Sequence, residues 1–260
     1  MAAMDSPAVA GPAWLVLPTY NEAANIAAIV EAARSNLPAD ARILIVDDNS
    51  PDGTGRIADE LAAADPAIEV LHRAGKEGLG PAYIAGFQRA LAGGAGLILE
   101  MDSDFSHDPA YLPRLLEASQ RADLVIGSRY VAGGGVSDWG PLRRMISRGG
   151  SAYARLLLGV EVRDLTGGFK CFRREVLEAI DLDSIQARGY AFQVEMTYRA
   201  IRQGFRVAEV PIVFRDRRVG SSKMDRSILA EAVWQVPRMR FGYKSRERPQ
   251  RGVDSRRYTF

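Results

Sequence analysis

The chain has 260 residues, 47% of them hydrophobic and 25% charged, with a net charge of only +2. That length accommodates one large α/β domain, and the near balance of charge gives no case for a nucleic-acid binder. The single cysteine, Cys171, excludes an internal disulfide and suits a reducing compartment; its neighbours Phe169 and Phe172 point to a packed thiol.

The first dozen residues, MAAMDSPAVAGP, lack a basic stretch followed by an apolar one, so no signal peptide is expected. No stretch approaches the roughly 20 apolar residues of a membrane span. The expectation is a cytoplasmic chain, free or peripheral at a membrane surface. Residues 1–12 read as a disordered tail, 13–242 as one domain and 243–260 as a basic tail. From Lys244 to Arg257 that tail holds one Lys and five Arg against one Glu and one Asp, a charge pattern drawn to anionic surfaces.

Within the domain, short apolar runs alternate with helical patterns: WLVLP, RILIVDD, IEVLH, GLILEMD and DLVIGS. Compact runs of this kind are expected of parallel strands covered on both faces. After PTYNE, Ile26, Ile29, Val30, Ala33 and Leu37 follow helical spacing up to Pro38, and Thr19 and Glu22 have capping-box spacing at the start. The alternation predicts a doubly wound, mostly parallel sheet whose ligands lie beyond the carboxyl ends of the strands. The second half, with DLTGGFKCF and FRVAEVPIVF, is less regular and reads as an elaboration of the same domain.

Polar residues gather at the predicted strand ends: Pro18-Thr19-Tyr20-Asn21-Glu22, Asp47-Asp48-Asn49-Ser50, Asp102-Ser103-Asp104 and Ser128-Arg129. In an extended segment Asp102 and Asp104 project to the same side. Without a cation they raise each other's pKa; a hard divalent metal, Mg2+ or Mn2+, removes that penalty and attracts phosphate oxygens. A turn or N-cap before Pro109 is the plain alternative. DDNSPDGT also serves as a turn, yet the acidic pair straight after ILIV can accept hydrogen bonds from a base or ribose.

GKEGLGPAY places Lys76 among three glycines before a helical pattern, a loop that lets amides approach an anion. It has neither P-loop nor dinucleotide-fingerprint spacing. In GPLRRMISRGGSAYARLLLGV, Leu142, Met145, Ile146, Tyr153, Leu156 and Leu157 share one helical face, while Arg143, Arg144, Ser147, Arg148 and Arg155 share the other. The second face is either a solvated surface or an anion-binding wall. FRDRRVGSSK adds cations after the last predicted strand. His72 and His107, the two histidines, have no metal-spaced partner and read as structural, and no hydrolytic triad stands out.

Taken in order, PTYNE, DDNSPDGT, GKEGLG, MDSDFSHDP, GSRY, DLTGGFK and RVGSSK resemble family 2 glycosyltransferases, and more narrowly dolichol- or polyprenol-phosphate mannosyltransferases, from about Trp14 to Phe241. The resemblance implies a GT-A-like fold and inverting transfer of mannose from GDP-mannose to a polyprenyl phosphate. It implies that Pro18, Tyr20, Glu22, Val46, Asp48 and Lys76 hold the nucleotide sugar. Asp102, Ser103 and Asp104 match the metal and diphosphate site, with Ser106 where some relatives have a glutamine metal ligand. Arg129 matches a phosphate-binding arginine; Ser128, Arg143 and Ser147 fall at the acceptor phosphate, and Arg217 and Lys223 match a pair closing over the donor diphosphate. Asp102, Asp104 and Arg129 are the expected catalytic residues. Many such relatives carry C-terminal membrane helices; this chain resembles the type that works on a membrane substrate with help from an anchor protein, and Trp139, Trp234, Met239 and Phe241 are candidates for the membrane face. The alternatives are glucosyl or other glycosyl transfer to the same lipid, and a non-catalytic nucleotide-sugar sensor.

Overall fold

The computed structural model describes residues 9–185, 187, 189–215 and 235–241. All five expected strands form: β1 (Ala13–Thr19), β2 (Arg42–Asp47), β3 (Ile68–His72), β4 (Leu97–Glu100) and β5 (Leu124–Ser128). Helices α1 (Ile26–Asn36), α2 (Thr54–Ala64), α3 (Leu79–Ala92) and α4 (Leu112–Ala118) connect them. After β5 come the short β6 (Gly135–Val136), α5 (Pro141–Leu158), β7 (Lys170–Arg173), α6 (Arg174–Ala179), α7 (Gly189–Arg202), β8 (Val207–Pro211) and β9 (Val213–Phe214).

Seven strands make one sheet in the order β3-β2-β1-β4-β7-β5-β8, while β6 and β9 pair separately. Every pairing in the large sheet is parallel except those of β7, which runs antiparallel between β4 and β5. Residues along each strand alternate between two cores. Trp14, Val16, Leu44, Val46, Ile98 and Phe172 pack under α3 and α7. Leu15, Leu17, Ile43, Ile45, Leu99 and Cys171 face α1 and α4. Burial on both sides is why these strands read as unbroken apolar runs. Gly86 lets α3 lie directly on β1, because a Cβ there would stand 2.4 Å from Val16 Cγ1.

The expected capping box does not form. Thr19 is the last residue of β1, and its hydroxyl donates to the Val46 carbonyl (3.3 Å) rather than to a helix start. α1 begins only at Ile26, six residues too late for the motif, after Asn25, whose side-chain amide donates to Glu22 Oε2 (2.8 Å). Much of the apolar face of α5 is left uncovered. Leu142, Met145 and Leu156 are 64%, 65% and 86% exposed, and the helix is seated instead by Ser151, Ala154 and Leu158. An amphipathic pattern says that a face avoids water, not that this chain covers it. Among the described residues no helix is long and apolar enough to cross a membrane. The expected tails, 1–12 and 243–260, lie mostly outside the described residues.

Candidate active site

The carboxyl ends of β1, β2, β4 and β5 form one rim, and the loops after β1, β2 and β4 each pass through a left-handed backbone conformation. Among the described residues, the non-glycine positions with left-handed φ are Asn21 and Asn49, two residues past β1 and β2, Phe105, in the loop after β4, and Asp138, just before α5. Such conformations cost about 1–3 kcal/mol each for a bulky side chain and gather at functional loops.

The loop after β4 is fixed from three sides. Ser103 Oγ donates to the Pro18 carbonyl (3.0 Å), tying it to the tip of β1. The Tyr83 hydroxyl on α3 donates to Asp102 Oδ1 (3.1 Å). Burial among carboxylates pushes that phenol well above its usual value, so it remains a donor. The Asp102 amide donates to His107 Nδ1 (3.1 Å), and burial holds this imidazole below its ordinary pKa, in the neutral form that can accept. Asp104 Oδ1 accepts the Ser106 amide (3.0 Å), closing the tight turn that places Phe105 at positive φ. Directly behind the loop, Glu100 and Lys170 face each other across β4 and β7 as a fully buried pair, with Nζ 3.4 Å from Oε1. Lys170 also donates to the Gln193 carbonyl (3.1 Å).

Two carboxylates and a hydroxyl suit a small oxygen-seeking cation. Ser106 Oγ is buried and has no hydrogen-bond partner among the described residues, as expected of an oxygen reserved for a ligand. No cluster of three or more His, Cys, Asp or Glu side chains could hold a metal by itself among those residues. The donor set therefore fits Mg2+ or Mn2+ shared with substrate phosphates rather than a closed protein cage.

At the tip of β2, Asp48 continues the strand, its amide donating to the Thr19 carbonyl (3.1 Å), and its carboxylate accepts from Arg73 Nη1 (2.5 Å). Lys76 Nζ stands 4.1 Å over the Tyr20 ring, bringing two of the expected residues together. Glu22 is fixed by its amide, which donates to Thr54 Oγ1 (2.9 Å). Val46 is not brought to the rim. Its side chain is wholly buried against α3 at Gly86, because the pleat turns it inward.

At the end of β5, Arg129 is buried and clamped by Asp164. Nε donates to Oδ2 (2.7 Å), Nη2 to Oδ1 (2.6 Å) and the backbone amide to Oδ2 (2.9 Å), while Nη2 also reaches Thr166 Oγ1 (2.7 Å). Thr166 lies 3.2 Å from Ser151 Oγ, linking this pair to α5. Tyr130 shares a 2.6 Å bond with Ser147, and Arg143 packs 4.2 Å over Trp139, whose ring is also 5.9 Å from the Arg129 guanidinium. Arg129, Tyr130, Arg143 and Ser147 thus form one cluster. Ser128 belongs beneath it: it is fully buried, and its Oγ accepts the Tyr130 amide (3.3 Å). Trp139 is buried, which removes it from the expected membrane face; its indole serves as a platform for Arg143. Phe241 is 85% exposed, as a membrane-facing residue requires. Arg217, Lys223 and Trp234 lie outside the described residues.

The sequence reading missed Arg73, Tyr83, Asp164 and Thr166. The last two sit inside DLTGGFK, which was singled out without a role for its aspartate. Cys171 is buried as expected, its thiol pushed up to about 12 by desolvation.

Residues 14–181 match the family described as glycosyl transferase family 2. The chain belongs to this family. The glycosyltransferase is 51% identical over 223 residues to the undecaprenyl-phosphate mannosyltransferase of Micrococcus luteus, covering 86% of this chain and 91% of that one. It is 48% identical over 241 residues to the polyprenol monophosphomannose synthase of Mycolicibacterium smegmatis, covering 92% and 90%. Its fold is similar to that of glucosyl-3-phosphoglycerate synthase from Mycobacterium tuberculosis in complex with Mn2+, UDP and product, with a TM-score of 0.63 at 20% identity over 91% and 82% of the chains. The same enzyme with Mg2+ and UDP gives a TM-score of 0.62 at 22% identity over 91% and 81%. The GT-A-type fold expected from the sequence is therefore the fold observed.

Proposed function

We propose that this glycosyltransferase moves mannose from GDP-mannose to a polyprenyl phosphate with inversion at the anomeric carbon, releasing GDP. The observation that carries the reading is the pairing of opposite chemistries on one rim. The carboxylate loop of Asp102 and Asp104 is tied to β1 by Ser103, and His107 on that same loop stacks 5.0 Å from Phe169 and meets Phe214 at 5.4 Å. Phe214 in turn lies 5.5 Å under the Arg129 guanidinium. The named activities of the two relatives support the choice of sugar and lipid.

The phosphate nucleophile is already ionised at neutral pH, so the chain needs no strong base beside it. The harder task is bringing two anions together. Unit charges ~4 Å apart repel by about 4 kcal/mol at an effective dielectric of about 20, and each partner here carries more than one. Arg129, Arg143 and the Tyr130–Ser147 pair offer the acceptor phosphate cationic and hydroxyl groups, the guanidinium fork being suited to phosphate oxygens. Asp102, Asp104 and Ser106 are the groups that would hold Mg2+ or Mn2+, which when bound supplies stabilisation of charge on the departing diphosphate. Tyr83 and His107 hold the Asp102 side chain and backbone in place for that ligation.

A lipid acceptor requires a site open to a bilayer. The uncovered side chains Leu142, Met145 and Leu156 on α5, with Phe241, provide an apolar surface flanked by Arg144, Arg148 and Arg155. That arrangement fits a helix lying in an anionic membrane surface, alone or beside an anchor protein. The test is to incubate purified protein with labelled GDP-mannose, Mg2+ or Mn2+ and short polyprenyl phosphates. A metal-dependent mannolipid is the expected product. Preferred turnover of UDP-glucose would replace the donor assignment, and GDP release without any lipid product would overturn the transfer reading.

A further inference from the structure

Glu209, on β8, is a partly buried carboxylate to which the transfer reading gives no part. We infer that it is a positioning residue for the acceptor: it sets both arms of the acceptor cluster, Asp164–Arg129 on one side and Ser128–Tyr130 on the other. The inference rests on the polyprenyl-phosphate reading and assigns the shape of that acceptor site to a side chain one strand away.

In the parallel register Ile126 of β5 faces Glu209 of β8, so Glu209 and Ser128, two residues beyond Ile126, leave the same side of the sheet. Three donors converge on the carboxylate. Oε2 accepts the Arg163 amide and Oε1 the Asp164 amide, both at 2.9 Å, and the Ser128 hydroxyl donates to the same group. Successive backbone amides turned toward one anion form a nest, which a carboxylate fills with both oxygens. Residues 159–169, between α5 and β7, belong to no helix or strand, so these bonds anchor a stretch that no ladder holds. From there the first arm runs to Arg129, whose Nε, Nη2 and amide all meet the Asp164 carboxylate. The second arm runs through Ser128, whose Oγ also accepts the Tyr130 amide (3.3 Å), and Tyr130 shares its 2.6 Å bond with Ser147.

An acid in this place carries a cost. Burial raises the Glu209 carboxyl above its usual range, and the Asp164 charge beside it acts in the same direction, while the two amides and Ser128 oppose both. The charge is what lets one side chain accept from all three donors. A glutamine offers one oxygen and turns an amine toward the remaining donors, so it satisfies only part of the set. Fixing Arg129 and the Tyr130–Ser147 pair before the phosphate arrives removes an ordering cost from acceptor binding. The carboxylate loop of Asp102 and Asp104 is held by other partners, Ser103, Tyr83 and His107. A change at Glu209 therefore separates acceptor from donor.

The experiment compares the intact protein with Glu209→Gln and Glu209→Ala. Mannolipid formation is measured against polyprenyl phosphate at saturating GDP-mannose and then the reverse, with calorimetric titration of GDP and a thermal melt of each preparation. KM for the lipid should rise about tenfold in Glu209→Gln and further in Glu209→Ala, because the glutamine keeps part of the contact. KM for GDP-mannose and the Kd of GDP should stay within about twofold, and kcat within about threefold. A lower Tm with both KM values unchanged would make Glu209 a structural tie and overturn the inference, as would equal rises in the two KM values. If Glu209→Ala does not fold, the isosteric Glu209→Gln decides by the same comparison. GDP release from the unaltered protein without any mannolipid would overturn the transfer reading, and this inference with it.

Discussion

Replacing Arg129 with alanine removes one partner of a charge pair that is almost wholly excluded from water. Arg129 and Asp164 are 5% and 0% exposed, and the carboxylate accepts from Nε, Nη2 and the Arg129 amide. Leaving a buried carboxylate unpaired costs about 3–5 kcal/mol. For a domain of this size each kcal/mol lowers Tm by about 2–4 °C, so the expected loss is about 6–20 °C. Under the proposed function Arg129 therefore serves the fold as well as the acceptor phosphate. The double variant Arg129→Met, Asp164→Asn separates the roles. Its asparagine still accepts the Arg129-position amide without a stranded charge, so at least about half of the lost Tm should return while transfer stays lost. Thermal melts and the mannolipid assay on the same preparations read both. An Arg129→Ala protein melting within about 2 °C of wild type would refute the buried-pair argument.

Asp104→Asn keeps an oxygen for the Ser106 amide, so the fold should persist while metal-dependent transfer is abolished; unchanged turnover with the same metal requirement would reject its ligand role. Ser106→Ala removes a hydroxyl with no partner among the described residues, so stability should hold, and the Mn2+ concentration for half-maximal turnover should rise about tenfold if that oxygen serves the metal. His107, ordinarily near 6.5, is lowered by burial, so its contribution to stability is complete above that value and is lost as pH falls below it. The slope is at most about 1.4 kcal/mol per pH unit. Burial raises Glu100 to about 7 and acts in the opposite direction, so the quantity to measure is the difference between wild type and His107→Gln in denaturant titrations from pH 5 to 7. Leu142→Glu with Leu156→Glu alters only exposed side chains and should leave Tm unchanged while weakening sedimentation with phosphatidylglycerol vesicles about tenfold or more; equal sedimentation would remove α5 from the membrane contact.

The sequence by itself determined the sheet and the rim. Unbroken apolar runs such as WLVLP and ILIV are legible because strands buried on both faces leave no room for polar residues, and the polar clusters that end them mark where the sheet stops. Asp102 and Asp104 were therefore singled out by position and chemistry, while Ser103 and the choice of Asp48 came from the family resemblance. Burial in the second half was not legible. Trp139 and the apolar side of α5 look alike as sequence, yet the first is buried under Arg143 and the second faces outward. Which face a neighbour covers is a property of packing between distant segments. Tertiary structure alone also decided that Arg129 meets Asp164, 35 residues on, and that Arg73 meets Asp48, 25 residues back. Both pairings depend on how β2, β3, β5 and β7 are placed in the sheet, and a charge in the sequence carries no record of the opposite charge that folding brings beside it.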